Sequence, residues 1–499
     1  MCYPHIWQLP TNVDMPSFEG RAAYAVLWST LEILARYGAQ FVVTVVLARL
    51  LSPSDFGLIA ILLAFTSVAA VFVDSGFGIA LIQRQHTTED DEATVFVFGL
   101  YVGILTAVAL VVAAPSIAGF FGQPSLIGLT RLVAFVLPLG ALGAVPDALL
   151  TKKLDFRSRA RAEIVASLCS GAAAITLAML GLGVWSLAWQ TLIATSLRTL
   201  LLWRYSHWRP HGRYRKDAFD NLFRFGGYML LSRLLDTAFV RLQSLLIGKL
   251  FDPRALGYYT LAQNTQQAPA SFLDGILNRV GLPMLAAVAA DRDKLVSAMR
   301  TSLRIAMFLF VPCMVGIAIV AKPLIDMLYG ARWISAAPIL SILALGTASW
   351  PLHILNLSAI NALGRSDLFF RLEVVKKLVA IGLIVAASPC GGIAIAWAVF
   401  GTSILGVFIN THYPKKLLGY GITEQLSDQV ATFILSVIAA AVGWALLHWM
   451  PICPISMLLA VTASAFIYFG LAAVTKNQAL LDLLALARAM RTKTSAAHS

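Results

Sequence analysis

Apolar stretches of about 20 residues recur along almost the whole chain. A helix of about 20 residues crosses about 30 Å of hydrocarbon and satisfies its own backbone hydrogen bonds there. Because 59% of the 499 residues are hydrophobic and 13% are charged, a water-soluble fold of this length could not bury its apolar side chains. The hydropathy therefore predicts an all-α, polytopic membrane protein with about fourteen transmembrane helices. We place these spans at residues 25–50, 57–82, 94–119, 126–150, 161–181, 184–204, 221–249, 257–285, 302–322, 336–362, 370–388, 391–411, 429–449 and 455–475.

The distribution of basic residues between the predicted loops indicates the orientation of the chain. Lys and Arg accumulate in short cytoplasmic loops. Loops after even-numbered spans contain most of the basic residues, whereas loops after odd-numbered spans contain few, namely Arg49, Lys249, Arg254, Lys322 and Arg332. Both termini are therefore predicted to be cytoplasmic. The net charge of +13 is dispersed over these loops rather than gathered on one domain, so nucleic acid is not an expected partner.

One short pattern occurs twice, 200 residues apart, at Ala48–Gly57 and Gly248–Gly257. Three of its ten positions are identical, and each copy ends one apolar segment and begins the next. Two residues further on also recur at this offset, Phe72 as Phe272 and Asp74 as Asp274. We interpret the match as duplication of a six-helix bundle, and a chance match between two hydrophobic corners is the alternative. An even number of spans separates the copies, so the two lobes form a parallel repeat about an axis along the membrane normal.

The spans and the repeat divide the chain into six predicted segments. They are a cytoplasmic N-terminal segment (1–24), an N-lobe of spans one to six (25–205), a basic cytoplasmic linker (206–220), a C-lobe of spans seven to twelve (221–412), spans thirteen and fourteen (413–475), and a cytoplasmic amphipathic tail (476–499). Residues 1–20 lack the basic region and cleavage site of a signal peptide, so the first span is expected to remain as an anchor.

The sequence contains none of the motifs GxxxxGK[ST], HExxH or GxSxG, and its five cysteines form no CxxC pair. We therefore predict no enzyme activity, no metal site and no cofactor. Two acidic runs, Glu89–Glu92 and Asp291–Asp293, resemble the paired acids of metal-dependent transferases. Both lie in short predicted loops, which favours a solvated surface over a metal site.

Polar side chains form stripes on three of the spans. Steps of three and four residues place them on one helix face. The residues that we single out are Glu32, Arg36 and Gln40 in span one, Arg233, Asp236 and Arg241 in span seven, and Gln263, Asn264, Gln267 and Asp274 in span eight. A charged residue at mid-membrane costs roughly 2.5 to 3.5 kcal/mol, so these faces are predicted to enclose a central, solvated cavity.

Two interpretations of the charged positions stay open. A buried guanidinium is a planar fork of donors that suits a phosphate or diphosphate, which makes Arg36, Arg233 and Arg241 candidate head-group ligands. The alternative is structural pairing between or within the lobes, for instance Glu32 with Arg36 or Arg233 with Asp236. The acids Glu32, Asp74, Asp236 and Asp274 are candidates for ion coupling or for such pairing, and Asp74 also precedes a predicted break in span two.

Three segments resemble the Wzx-type polysaccharide flippases. They are LARLLSPSDFG at 47–57, FVDSGFGIALI at 72–82 and KKLDFR at 152–157. These flippases belong to the multidrug/oligosaccharidyl-lipid/polysaccharide exporter superfamily. The resemblance implies two six-helix lobes with two additional C-terminal helices. It also implies alternating-access transport of an undecaprenyl-diphosphate-linked oligosaccharide across the bacterial inner membrane, for exopolysaccharide, capsule or O-antigen synthesis.

In that family a cationic central cavity receives the head group while the prenyl tail stays in lipid. The expected partners are the lipid-linked oligosaccharide, membrane lipids, and the polymerase and glycosyltransferases of the same pathway. A small-molecule or drug antiporter of the same superfamily is the alternative, for which an acid-dominated cavity is expected. A membrane polymerase or ligase is the alternative from a different class, and it would be favoured by an additional periplasmic domain.

Overall fold

The computed structural model describes residues 38–74, 78, 81–82, 87–153, 155–451 and 453–485. Over these residues the chain is helical and contains no β-strand. The helices are α1 (Gly38–Leu50), α2 (Pro53–Asp74), α3 (Glu89–Phe121), α4 (Ser125–Ala134), α5 (Val136–Lys152), α6 (Phe156–Met179), α7 (Val184–Ser206), α8 (Lys216–Leu250), α9 (Pro253–Ala287), α10 (Arg292–Tyr329), α11 (Ala337–Thr347), α12 (Trp350–Ala362), α13 (Ser366–Ala387), α14 (Gly392–Leu418), α15 (Ile422–Ser427), α16 (Val430–Trp449) and α17 (Pro454–Val474). Two 3₁₀ turns, Ala331–Ala336 and Ser388–Cys390, precede α11 and α14.

Each predicted span coincides with one helix or with two successive helices, although span one is described only from residue 38. Within the described part of the chain, nine helical segments are long and apolar enough to cross a membrane. The remaining long helices, α7, α8, α9 and α13, carry more polar and charged side chains. The all-α membrane architecture is therefore confirmed, while the count of fourteen spans and the segment boundaries stay predictions.

The acidic run Glu89–Glu92 forms the first turn of α3 rather than a solvated loop. The Thr88 hydroxyl accepts the N–H of Asp91 at 3.2 Å, and the Asp91 carboxylate accepts the N–H of Thr88 at 3.1 Å. This reciprocal capping satisfies amides that have no partner within the helix, and negative charge is favoured at a helix N-terminus. The Trp208 indole of the basic linker donates to the Glu92 carboxylate at 2.7 Å. These acids therefore have a structural role in starting the helix and holding the linker.

Two of the predicted spans are broken in the middle. Span four divides into α4 and α5 at Phe135, and span ten divides into α11 and α12 at residues 348–349. These spans occupy the same place in the two lobes of the repeat. The matching breaks are what a duplicated six-helix bundle predicts.

The two copies of the duplicated pattern contact each other across the lobe interface, where α2 packs on α9. A Cβ atom built on Gly57 would lie 1.7 Å from the carbonyl oxygen of Pro253, and one on Gly257 would lie 1.8 Å from that of Pro53. No side chain fits at either position, so both glycines are required for this approach of two backbones. The contact is reciprocal, as an approximate twofold axis requires. We call this part of the molecule, residues 48–57 and 248–257, the corner contact.

Basic residues of the two copies also cross the interface in a reciprocal manner. The Arg49 guanidinium donates to the backbone oxygen of Leu328 at 2.8 Å, near the end of α10 in the C-lobe. The Lys249 ammonium donates to the backbone oxygen of Phe120, near the end of α3 in the N-lobe. Carbonyl groups at a helix C-terminus carry partial negative charge, which favours a cation there. Each lobe thus caps a helix of the other lobe.

The two C-terminal helices are attached to the C-lobe, where α16 packs along α10. The Tyr468 hydroxyl of α17 donates to the backbone oxygen of Phe308 at 2.8 Å. At the other end of this contact, Asp428 forms an ion pair with Arg300 at 2.9 Å and accepts a hydrogen bond from Arg304 at 3.1 Å. These contacts hold α16 and α17 outside the interface between the two lobes.

Candidate functional site

Two cavities lie on the inner face of the N-lobe, opposite α8 and α9 of the C-lobe. We call them the charged chamber, with a volume of about 610 Å³, and the polar chamber, with a volume of about 470 Å³. They have part of their wall in common, formed by Leu63, Thr191, Thr195 and Arg198. Both volumes fall within the roughly 300–1,000 Å³ of small-ligand sites. Together they form a two-part cavity at the lobe interface.

Two predicted arginines of α8 line the charged chamber and connect it to α2. Arg233 forms a close ion pair with Asp74. Arg241 donates from Nε to the Ser67 hydroxyl at 2.9 Å and has no carboxylate partner among the described residues. Its guanidinium therefore keeps donors for a ligand, whereas a ligand of Arg233 must compete with Asp74.

A network of four charged side chains forms the N-lobe side of the charged chamber and its border with the polar chamber. Asp147 of α5 accepts Arg159 at 2.7 Å and Arg198 at 3.2 Å. Arg198 of α7 also pairs with Glu163 of α6 at 2.8 Å. Asp147, Glu163 and Arg198 were not among the predicted site residues, and Arg159 lies between predicted spans four and five, in a loop expected to be cytoplasmic. Thr191, Thr195 and Arg198 follow steps of four and three, which is a stripe that could have been recognised.

The charged chamber has an excess of positive charge. Four arginines and two aspartates are among its described lining residues, namely Arg159, Arg198, Arg233, Arg241, Asp74 and Asp147. Each acid is engaged by at least one of these arginines. The chamber is therefore suited to an anion that accepts several hydrogen bonds from guanidinium groups.

The polar chamber has a different lining, in which amide and hydroxyl side chains lie among apolar ones. Of the predicted residues it contains Gln40 from α1 and Asn264 from α9. Gln190 and Ser167 face them from the N-lobe helices α7 and α6. This wall can both donate and accept hydrogen bonds without net charge.

Other predicted site residues lie elsewhere. Gln263 and Gln267 of α9 do not line either chamber, and the Gln267 amide donates to the Ser271 hydroxyl at 3.4 Å. Asp236 pairs with Lys377 of α13 rather than with Arg233, so the suggested bridge within α8 is not formed. Glu32 and Arg36, and the side chain of Asp274, lie outside the described residues. Within the described part of the chain, no three His, Cys, Asp or Glu side chains are grouped as a metal would require.

Solved structures with a similar fold include a flippase and a multidrug transporter. The lipid II flippase MurJ in an inward closed conformation matches with a TM-score of 0.72 and 16% identity, over 91% of this chain and 98% of that one. An inward-facing multidrug resistance MATE family transporter of the MOP superfamily matches with a TM-score of 0.60 and 15% identity, over 79% of this chain and 98% of that one. The chain therefore shares the fold of this class of proteins, and its apolar helices agree with a multi-pass membrane architecture.

The sequence relatives specify the branch of this class. The family described as "Polysaccharide biosynthesis protein" matches residues 46–338, and the chain belongs to it. The teichuronic acid biosynthesis protein TuaB of Bacillus subtilis is 26% identical over 92% of this chain and 96% of its own length. The lipopolysaccharide biosynthesis protein WzxC of Escherichia coli is 23% identical over 84% of this chain and 86% of its own. The resemblance to the polysaccharide flippases is thus confirmed.

Proposed function

We propose that this protein moves an undecaprenyl-diphosphate-linked oligosaccharide from the cytoplasmic to the periplasmic leaflet of the bacterial inner membrane by alternating access. The observation that carries the proposal is the excess of arginine over acid in the charged chamber, inside an otherwise apolar bundle. Each such arginine would cost several kcal/mol facing lipid. These arginines would bind a ligand with several anionic oxygens, and a lipid-linked diphosphate is such a ligand.

The two lobes supply the two sides of the proposed path. A diphosphate and a sugar chain cannot enter hydrocarbon unaided, because their polar groups would lose water without replacement. Arg241 has donors free for the diphosphate, and Arg233 becomes available when the ligand displaces Asp74. The charge distribution in the loops favours a cytoplasmic position for the linker that follows α7 and a periplasmic position for the corner contact. Rocking of the lobes about the cavity would then expose it to each leaflet in turn.

The described geometry favours this proposal over a drug antiporter. A carrier of cationic drugs needs acids that are free to bind its ligand, whereas Asp74 and Asp147 are both held by arginines. The acids suggested for ion coupling are also paired where they are described, since Asp236 is held by Lys377. We therefore propose Asp74 as the coupling acid, because release of Arg233 to the diphosphate would leave it unpaired.

Charge reversal at Arg241 tests the proposal. Arg241→Glu should abolish surface polysaccharide in a strain that depends on this protein, because it places a carboxylate where the diphosphate must bind. Arg241→Lys keeps the charge and should retain part of the export. The matched control is Arg204→Glu, at an exposed position near the end of α7 that lies outside both chambers and outside the corner contact.

The measurement is the amount of cell-surface polysaccharide at equal membrane levels of each variant. Normal export by Arg241→Glu would remove the charged chamber from the transport path and overturn the proposal.

A further inference from the structure

The polar chamber offers side-chain amides that the described lining of the charged chamber lacks. Its wall presents the side-chain amides of Gln40, Gln190 and Asn264 beside a row of Ser and Thr hydroxyl groups. Within the described part of the chain, these three amides make no side-chain hydrogen bond. Each amide supplies two N–H donors and one carbonyl acceptor. The wall is thus matched to a ligand that carries many hydroxyl groups.

One hydroxyl on this wall lacks a partner although it is shielded from solvent. The Ser167 hydroxyl oxygen is buried and has no hydrogen-bond partner among the described residues. Its neighbours behave differently, since Ser170 donates to the backbone oxygen of Ser167 at 3.2 Å and Thr195 donates to that of Thr191 at 3.0 Å. A buried, unpaired hydroxyl is unfavourable. A ligand hydroxyl group at this position would complete the site.

The polar chamber has no charge available for a ligand. Glu163 and Arg198 are the charged residues of its described wall, and they pair with each other at 2.8 Å. Arg198 is also held by Asp147 at 3.2 Å. An anionic group that entered this chamber would lose its water, would find Arg198 occupied by two carboxylates, and would be repelled by Glu163.

We propose that the polar chamber is a carbohydrate subsite that selects uncharged sugars, next to the diphosphate subsite of the charged chamber. This inference rests on the proposed function and deepens it, because it assigns the sugar and the diphosphate to separate compartments. The common wall at Arg198 places the first sugars of the glycan directly beside the diphosphate. The selected property is the absence of a carboxylate on those first sugars.

The test uses the purified full-length protein in lipid nanodiscs and three probes. They are undecaprenyl diphosphate alone, the same lipid bearing one glucose, and the same lipid bearing one glucuronic acid. Calorimetric titration should show that the glucose probe binds roughly tenfold more tightly than the unglycosylated lipid, as a few net hydrogen bonds would give. The glucuronic acid probe should bind no more tightly than the unglycosylated lipid.

Substitutions in the polar chamber test whether the tighter binding of the glucose probe arises there. The double variant Ser167→Ala with Gln190→Leu should lose the advantage of glucose while binding the unglycosylated lipid as before. Thr176→Val is the matched control, because it removes a hydroxyl from the same helix α6 at an exposed position outside both chambers. Glu163→Gln removes one partner of Arg198 and should raise the affinity for the glucuronic acid probe several-fold.

The outcomes separate the two proposals without reliance on any variant. If the unglycosylated lipid binds and glucose adds no affinity, the carbohydrate subsite is wrong while the diphosphate site stands. If the glucuronic acid probe binds as tightly as the glucose probe, the selection of uncharged sugars is wrong. If none of the three prenyl diphosphates binds, the proposed function itself fails.

Discussion

The corner contact and the chambers differ in how they use the duplication. At the corner contact the two lobes present equivalent residues to each other, so Gly57 meets Pro253 while Gly257 meets Pro53. In the charged chamber, by contrast, four charged residues come from the N-lobe and two, Arg233 and Arg241, come from the C-lobe. The symmetric region joins the lobes, and the asymmetric region forms the chambers that we propose for the ligand. A lipid-linked glycan has a charged end and an uncharged end, so its binding site has no reason to keep the symmetry of the fold.

The largest expected effect would come from breaking the symmetric contact at its glycines. Gly57→Val and Gly257→Val each place a side chain where the backbone of the other lobe lies, and overpacking of this kind costs typically 1–3 kcal/mol or more. We expect both variants to lose export and to melt at a lower temperature, by similar amounts, because the two positions are equivalent. Thermal unfolding in detergent and surface polysaccharide are the measurements.

Gly119→Val serves as the control for these variants, because a Cβ atom on this glycine of α3 would meet nothing within 4 Å. A large loss from one corner glycine and none from the other would contradict the reciprocal contact.

A smaller effect is expected from the basic residues that cap the opposite lobes. Arg49→Gln and Lys249→Gln should each weaken the closed corner by about 0.3–1 kcal/mol, the usual contribution of a cation at a helix C-terminus. The measurement is the distance between spin labels at positions 54 and 254, in a variant whose native cysteines are replaced. Each substitution should increase the population with separated labels, and the double variant should show the sum.

If neither variant changes that distance distribution, Arg49 and Lys249 do not hold the lobes together at this end.

The smallest effect concerns a helix cap away from both regions. The Asp291 carboxylate accepts the backbone N–H groups of Lys294 and Asp293 at the start of α10, and the bond from Lys294 is the main reason that the Asp291 pKa lies below its usual value. A lowered pKa means that the stabilisation is present above the unfolded-state value and is lost as the pH falls through the folded-state value. Asp291→Asn should therefore be slightly less stable than the parent at neutral pH and equal to it in acid.

The measurement is the melting temperature of the parent protein and of Asp291→Asn, taken from neutral pH into acid. The spin labels at the corner should not move in this variant. A change there would mean that loss of any cap separates the lobes, and the result with Arg49 and Lys249 would then say nothing specific about the corner contact.

Much of the fold was predictable because hydropathy depends on composition over about 20 residues, and every predicted span coincides with helix where the structure describes it. The duplicated pattern predicted the reciprocal lobes from three identical positions. The breaks at Phe135 and at residues 348–349 were not predicted, because the mean hydropathy of each interrupted span is that of one continuous membrane helix.

The chambers were predictable only in part. A polar stripe shows which residues share one face of a helix, but it does not show which neighbouring helix that face contacts. Gln263 and Asn264 belonged to one predicted stripe, yet successive residues point roughly 100° apart, and of the two only Asn264 lines the polar chamber. Asp147 and Glu163 were missed for another reason. Each is a single acid near the end of a span, and its importance appears only when Arg198 of another helix lies beside it.

The glycine and proline backbones at the corner contact have a thermodynamic consequence. Ordering a side chain on contact costs conformational entropy, up to about 2 kcal/mol for the longest ones. Main-chain atoms of Gly57, Gly257, Pro53 and Pro253 make the approach without any rotamer that must be fixed. These backbone atoms can therefore part and rejoin with little entropic penalty, unlike the Arg49 and Lys249 side chains beside them, which suits the alternating access that we propose.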